Sequence, residues 1–379
     1  MAGIYIHIPF CAQACHYCDF HFSTNQQKKN EMVKAICEEV NLQYEYLGKE
    51  RVNTIYFGGG TPSLLSMPQV VEILQTIYKN FDVASSAEIT LEANPDDLSN
   101  EKLNDLKQAG INRLSIGIQS FNDTILKFLN RMHDAKGGIE AFERARSAGF
   151  SNISIDLMYA IPNQNTEEWE ENIRRSIDLA PEHISAYTLT IEPKTVFGRW
   201  KTKGKLDIVS DEIAATEMEI LMDKLVPAGF EHYEVSNFSK PYFQSNHNRN
   251  YWRQEKYLGI GPSAHSYNGI SRQFNINNNH LYLKSLQEGK IPFEQEVLSV
   301  KDKINEYILT SLRTSNGCDL KKLRSDYSFD PFSQREKYLH QIVDQKLAIV
   351  NDEILMLTRS GRLLADKIAS DLFEINNDK

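Results

Sequence analysis

Six short apolar runs, set between stretches of helical periodicity, limit what this chain can fold into. The runs are Gly3–Ile8, Asn53–Phe57, Glu88–Leu91, Arg113–Ile118, Asn152–Leu157 and His183–Leu189. Between them Gln69–Lys79, Glu101–Ala109, Gly137–Ala148 and Glu167–Leu179 repeat apolar residues at helical spacing, and Gly110 and Gly149 supply stop signals. Strand and helix alternating in this way predict a parallel sheet with right-handed crossovers. Each run ends on something polar or on glycine. The first leads into a cysteine-rich loop, the second into Gly58-Gly59-Gly60-Thr61-Pro62, and the third into Glu92-Ala93-Asn94-Pro95. The fourth ends at Gln119-Ser120, the fifth at Asp156 and the sixth near Tyr187. In a β/α barrel the carboxyl ends of the strands share one face, and that face carries the chemistry. The expected fold is α/β, a partial (β/α)6 barrel over residues 1–230, open on one side to a large ligand. A doubly wound open sheet is the alternative, since it also binds ligands at strand ends.

The loop after the first run holds Cys11, Cys15 and Cys18, a C-x3-C-x2-C spacing. Three clustered thiolates can hold three irons of a [4Fe–4S] cluster and leave the fourth open to a ligand. A disulfide framework does not suit a 379-residue chain with five cysteines. A Cys3His zinc site using His16 or His21, or a chance group of buried thiols, stays as an alternative. Cys37 and Cys318 read as packing residues. The triple glycine lets backbone approach a ligand closely, though a plain tight turn would use the same residues.

The cysteine spacing, with Tyr5-Ile-His-Ile-Pro-Phe-Cys and Tyr17-Cys18 around it, resembles the radical S-adenosylmethionine (SAM) enzymes, in the branch of oxygen-independent coproporphyrinogen III oxidase. The true oxidases carry a further Cys two positions after the third ligand. This chain has Phe20 there, and it begins four residues before Tyr5 where the oxidases carry a longer extension. Both departures resemble the heme-chaperone members of the branch, along nearly the whole chain. The resemblance implies a [4Fe–4S] cluster on Cys11, Cys15 and Cys18. It implies SAM contacts from Gly59, Gly60, Thr61, Glu92, Gln119, Arg131 and Asp156, with Tyr5 and Tyr17 flanking the cluster. These residue types suit such contacts, since carboxylates accept from ribose hydroxyls or an ammonium and Arg pairs with a carboxylate.

Residues 231–300 are rich in aromatics, Asn and His, and read as a segment covering the barrel. Within them His247-Asn-Arg-Asn-Tyr251-Trp252 resembles the His-Asn-x-x-Tyr-Trp motif of the heme chaperones, which implies a heme site. Imidazole can ligate heme iron, Tyr251 and Trp252 offer flat apolar faces, and Arg249 and Arg253 can pair with propionates. His265, in Gly-Pro-Ser-Ala-His-Ser, is a rival ligand, and an aromatic-rich loop that merely packs over the barrel mouth is the structural alternative. Residues 301–379 show helices at 302–313, 333–346 and 359–372 with two short apolar runs, the pattern of a small winged-helix-like domain. Their cations and acids are equal in number, and the whole chain carries a formal charge of −9, so nucleic-acid binding has no electrostatic support. No apolar run approaches the roughly 18 residues of a membrane span. The expected protein is cytoplasmic and passes heme to an acceptor such as a respiratory hemoprotein, free or at a membrane surface. Alternatively it is an oxidase converting coproporphyrinogen III to protoporphyrinogen IX, or a radical SAM enzyme on another substrate.

Overall fold

The computed structural model describes residues 1–374. The six expected strands form, as β1 Ala2–Ile8, β2 Val52–Gly59, β3 Val83–Ala93, β4 Arg113–Gln119, β5 Ile153–Tyr159 and β6 His183–Thr188. They pair in parallel in chain order. The crossover helices lie at Lys29–Leu42, Met67–Asn80, Asn100–Gln108, Ala135–Ser147 and Thr166–Leu179. Two of them begin with a reciprocal capping box, Ser66 with Gln69 and Asn165 with Glu168, which satisfies donors that a helix start leaves unpaired. Gly110 and Gly149 sit at positive φ one residue past the C-caps of two others, a conformation glycine adopts without steric cost. Ile4, Ile6, Phe57, Leu91, Leu114, Ile116 and Ile155 are buried in one continuous core with the helices.

Residues 231–300 do more than cover this sheet. They extend it at both margins. β7 Glu231–Glu234 and β8 Asn237–Ser239 add antiparallel strands beside β6. At the other margin β9 Lys256–Ile260 joins β1 in parallel, so the parallel set is β9 with β1–β6. β10 His265–Tyr267, β11 Ser271–Asn275 and β12 Phe293–Val297 then follow antiparallel, giving a twelve-stranded sheet. Glu39, fully buried in the first crossover helix, pins this added part. It accepts from Tyr282 Oη at 2.6 Å, Asn275 Nδ2 at 2.6 Å and the Gly261 amide at 2.8 Å. A buried carboxylate is tolerated when its lone pairs are satisfied in this way.

The C-terminal part has its own core of Ile304, Ile308, Leu312, Leu323, Leu339, Leu355 and Ile368. Helices Val300–Leu312, Leu320–Tyr327 and Pro331–Asp344 pack on a three-stranded sheet of β13 Cys318–Asp319, β14 Ala348–Asn351 and β15 Ile354–Leu357, in the order β13-β15-β14. Helix 320–327 joins the helices and two short apolar runs that the sequence marks here. It is tied to the larger part through Arg359 with Asp223, and through Arg362 Nη1 donating to the His232 carbonyl at 2.9 Å. Among the described residues no helix is long and apolar enough to cross a membrane.

Candidate functional site

The loop leaving β1 carries the three cysteines across the carboxyl ends of the strands, and its neighbours hold it there. Gly60 N donates to Ile8 O at 2.9 Å and Thr61 N to Phe10 O at 2.7 Å, so the turn after β2 clamps the loop's start. Ser23 N donates to Pro9 O at 2.9 Å and Cys11 N to Ser23 O at 3.1 Å, closing it on itself. Residues beyond β4 hold its middle: His16 N reaches Leu129 O at 3.1 Å, Gln13 Nε2 reaches Asn130 O at 2.8 Å, and Asn130 Nδ2 reaches Ala14 O at 2.7 Å. Cys11, Cys15 and Cys18 are free thiols, each half-buried. Burial pushes Cys11 up to about 11 and Cys18 up to about 12. Such thiols stay protonated at neutral pH until a metal displaces the proton. Arg131 Nη1 lies 3.5 Å from Cys15 Sγ.

Zinc fits this loop less well. His16 gives Nδ1–H to the Phe128 carbonyl at 2.9 Å and packs edge-on against Trp200, while His21 Nε2 bonds Asn279 Oδ1 at 2.7 Å. Among the described residues no three His, Cys, Asp or Glu side chains converge on one point, as a single ion requires. An iron–sulfur cluster asks for something else, one thiolate on each of three separate irons.

The residues expected around SAM gather beside this loop. Gly59 has φ of 103°, and a Cβ on Gly60 would lie 2.6 Å from Phe10 O and 2.7 Å from Ile8 O. Close backbone approach therefore explains the glycines, beyond the needs of a turn. Thr61 Oγ1 accepts from Asn94 Nδ2 at 3.3 Å, and Asn94 Oδ1 accepts from Arg131 Nη2 at 2.7 Å. The same Nη2 donates to Gly117 O at 2.7 Å, while Arg131 Nε is buried without a partner. Gln119 takes a left-handed φ of 66° at the end of β4, with its Nε2 against Gly117. Asp156 accepts from Ser115 Oγ at 3.1 Å, and Glu92 from Tyr56 Oη at 2.8 Å. Burial raises both carboxyls, Glu92 to about 7. Tyr5 lies over Tyr56 with ring centroids 6.2 Å apart, and Tyr17 packs into an apolar cluster with Ile125, Leu129 and Phe197. The donor and acceptor set, three half-buried thiols beside an orphaned guanidinium nitrogen and two poised carboxyls, fits a cluster and a zwitterionic nucleoside ligand. Asn94, Tyr56 and Gly117 were not singled out from the sequence. Asn94 stands in the Glu-Ala-Asn-Pro end of β3, which was signal enough to find it.

The second expected site divides. Helix Asn246–Trp252, capped by Ser245 Oγ, lies under β1, β2 and β9. His247 is only 2 % exposed. It shares hydrogen bonds with Thr54 Oγ1 at 2.9 Å and Tyr251 Oη at 3.0 Å, so both ring nitrogens are engaged, and its ring stacks on Tyr56 at 5.0 Å. Burial lowers its pKa to about 3, which keeps the imidazole neutral. Tyr251 and Trp252, expected beside His247 at one site, lie on different walls. Successive helical residues point about 100° apart. Tyr251 lines a cavity of about 390 Å³ with Tyr5, His7, Phe20, His21, Tyr257 and His265. Trp252, with Arg249 and Arg253, lines a separate cleft of about 400 Å³ against Tyr307 and Lys322 of the C-terminal part.

Comparison with known proteins accords with this geometry. Residues 5–175 match the radical SAM superfamily. The chain is 37% identical to the heme chaperone HemW of Bacillus subtilis over 97% of its own length and 98% of that protein's. This chain belongs to the HemW family. The HemW of Lactococcus lactis is 35% identical over 96% of this chain and 95% of its own length, and that of Escherichia coli 39% over 69% of each. Among solved structures, coproporphyrinogen III oxidase (HemN) of Escherichia coli superposes with a TM-score of 0.84 at 23% identity, covering 98% of this chain and 90% of that one. The radical SAM α/β fold is therefore common to this HemW-family chain and the oxidase.

Proposed function

We propose that this protein is a heme carrier that holds a [4Fe–4S] cluster and SAM and delivers heme to an acceptor protein, such as a respiratory hemoprotein. The observation that carries the reading is the aromatic cavity of Tyr5, Phe20, Tyr251 and Tyr257, which opens directly beside the cysteine loop in a chain of the HemW family. Cys11, Cys15 and Cys18 would hold the cluster. Gly59, Gly60 and Thr61 would present backbone to the amino-acid end of SAM, Arg131 would pair with its carboxylate, and Glu92, Gln119 and Asp156 would take its remaining donors. Cluster and SAM together supply one-electron reductive chemistry when bound. The protein's own part is to position them, through the clamp of Gly60 and Thr61 on the loop.

The intact SAM residues also favour a second reading, an oxidase acting on coproporphyrinogen III. An anaerobic turnover assay separates the two. Reconstituted protein is mixed with coproporphyrinogen III, SAM and a reductant, and the porphyrins are resolved by chromatography. The expected result is that no protoporphyrinogen IX forms while the cluster is intact. Product accumulating over many turnovers overturns the carrier reading.

The carboxyls make SAM binding pH-dependent. Burial raises Glu92 to about 7, so it is mostly protonated at pH 6 and ionises as pH rises. Only the ionised form accepts from every donor of SAM, so affinity should rise several-fold between about pH 6 and 7.5, before an α-amine of the usual pKa loses its proton. The stability of the ligand-free protein moves the opposite way. The folded carboxyl holds its proton above the unfolded value of 4.5, so stability present below 4.5 is lost as pH rises through about 7. A SAM dissociation constant that stays flat over this range removes Glu92 from the site.

A further inference from the structure

The second cleft, where helix Asn246–Trp252 meets the C-terminal part, has a charge unlike that of the chain as a whole. It holds about 400 Å³. Arg249 and Arg253 line it from the helix and its C-cap, and Lys322 lines it from helix 320–327. No carboxylate lines it, although the whole chain carries a formal charge of −9. Acids on adjoining elements are engaged elsewhere. Glu88 accepts from the Asn246 and His247 amides at 3.2 Å each, Glu231 from Gln244 Nε2 at 3.2 Å, and Asp319 from the Lys322 amide at 3.0 Å. Arg272, Arg313, Arg324 and Arg359 each pair with a carboxylate, whereas among the described residues Arg249, Arg253 and Lys322 pair with none.

Unpaired cations are ordinary where water separates them, but these are held together. Arg249 and Arg253 stand four residues apart on one helix face, where like charges repel. Burial, and after it Arg253, holds the Arg249 guanidinium below its usual range. The walls that carry these groups are fixed. Ser315 N donates to Tyr233 O at 3.0 Å and Val235 N to Arg313 O at 3.0 Å, which joins the loop 313–317 to the larger part. Gly317 ends that loop with φ of 72°, where a Cβ would lie 2.6 Å from Leu355 O. Arg313 lies over the Trp252 ring at 5.4 Å, and Lys322 over the Tyr307 ring at 4.5 Å. A frame that holds like charges in place is already organised for an anion, and binding relieves the repulsion.

We propose that this cleft binds a small phosphate ester, with Arg249, Arg253 and Lys322 taking its phosphate oxygens. A phosphate monoester brings close to two negative charges and three acceptor oxygens, enough to engage two guanidinium forks and an ammonium. A single carboxylate brings one charge and two oxygens, and leaves cations unmatched. The volume lies in the range of small-ligand sites. Both parts of the chain contribute cations, so the ligand bridges them. The inference is independent of the heme-carrier reading and concerns a cleft apart from the cysteine loop.

The test is titration calorimetry on the full chain at physiological salt, with glycerol 3-phosphate as probe and glycerate and glycerol as comparisons. Wild type should bind glycerol 3-phosphate, and less tightly as salt is raised. Glycerate should bind about fivefold more weakly or worse, and glycerol not at all. Arg253→Gln and Lys322→Gln, one from each part of the chain, should each weaken the probe about tenfold, the scale of one charge-assisted hydrogen bond. Lys337→Gln removes an exposed cation outside the cleft and should leave affinity unchanged. Denaturant midpoints of the three ligand-free variants should match wild type, which separates lost affinity from lost fold. Absence of binding to wild type, glycerate binding as tightly as the phosphate, wild-type affinity in both cleft variants, or an equal loss in Lys337→Gln overturns the inference. Displacement of the probe by ferric heme also overturns it, since these cations would then serve propionates.

Discussion

Cys15→Ala should abolish the visible charge-transfer absorbance that wild type acquires on anaerobic reconstitution with iron and sulfide. The loop that carries Cys15 is fixed at its start by Gly60 and Thr61 and in its middle by residues 129–130, so no other thiol can swing in to replace it. Cys37 is buried in the first crossover helix and Cys318 in the C-terminal core, each in a different element from the cysteine loop. Cys37→Ala and Cys318→Ala should therefore keep the band, with at most a packing cost. The Cys15 variant should stay folded, because its thiol is half-buried at the loop surface and supports no core. Retained absorbance in Cys15→Ala would show that the metal is held elsewhere.

Gly60→Ala should abolish measurable SAM binding and destabilise the protein by about 2 kcal/mol, the usual scale of overpacking. The added methyl would lie 2.6 Å from Phe10 O, 2.7 Å from Ile8 O and 2.9 Å from Phe10 N. All three are backbone atoms, so no side chain can rotate away. Relief requires breaking the hydrogen bonds from Gly60 to Ile8 and from Thr61 to Phe10, which are the ones that hold the cysteine loop. Titration calorimetry with SAM and chemical denaturation read the two effects separately. Normal SAM affinity in a fully folded variant would place the ligand away from this turn.

Much of the core fold was legible because its signals are local. The apolar runs of β1–β6 are contiguous, their helices show helical spacing, and Gly110 and Gly149 mark helix ends by the φ that other residues avoid. Helices 29–42 and 320–327 carry weaker local signals. The former carries charges and asparagine among its apolar positions, as in Lys29-Asn-Glu-Met, and the latter is only two turns long. The strands of 231–300 were also hidden. They are three to five residues long, too short for a period to register.

By itself the sequence determined the chemistry available to this protein: which residues can bind iron, which turn can admit a ligand's backbone contact, and that these lie at the ends of successive strands. Those are properties of residue type and short spacing, and covalent connection carries them. Tertiary structure decided which of those groups remain free to act. His247 and Thr54 are far apart in the chain, yet the fold brings them within hydrogen-bonding distance and engages one nitrogen of the imidazole that the motif made conspicuous. Tyr251 and Trp252 are neighbours in sequence, yet helical geometry sends them to different cavities. Whether a polar atom is spent or available depends on long-range packing, since only a folded chain brings its partner within hydrogen-bonding distance.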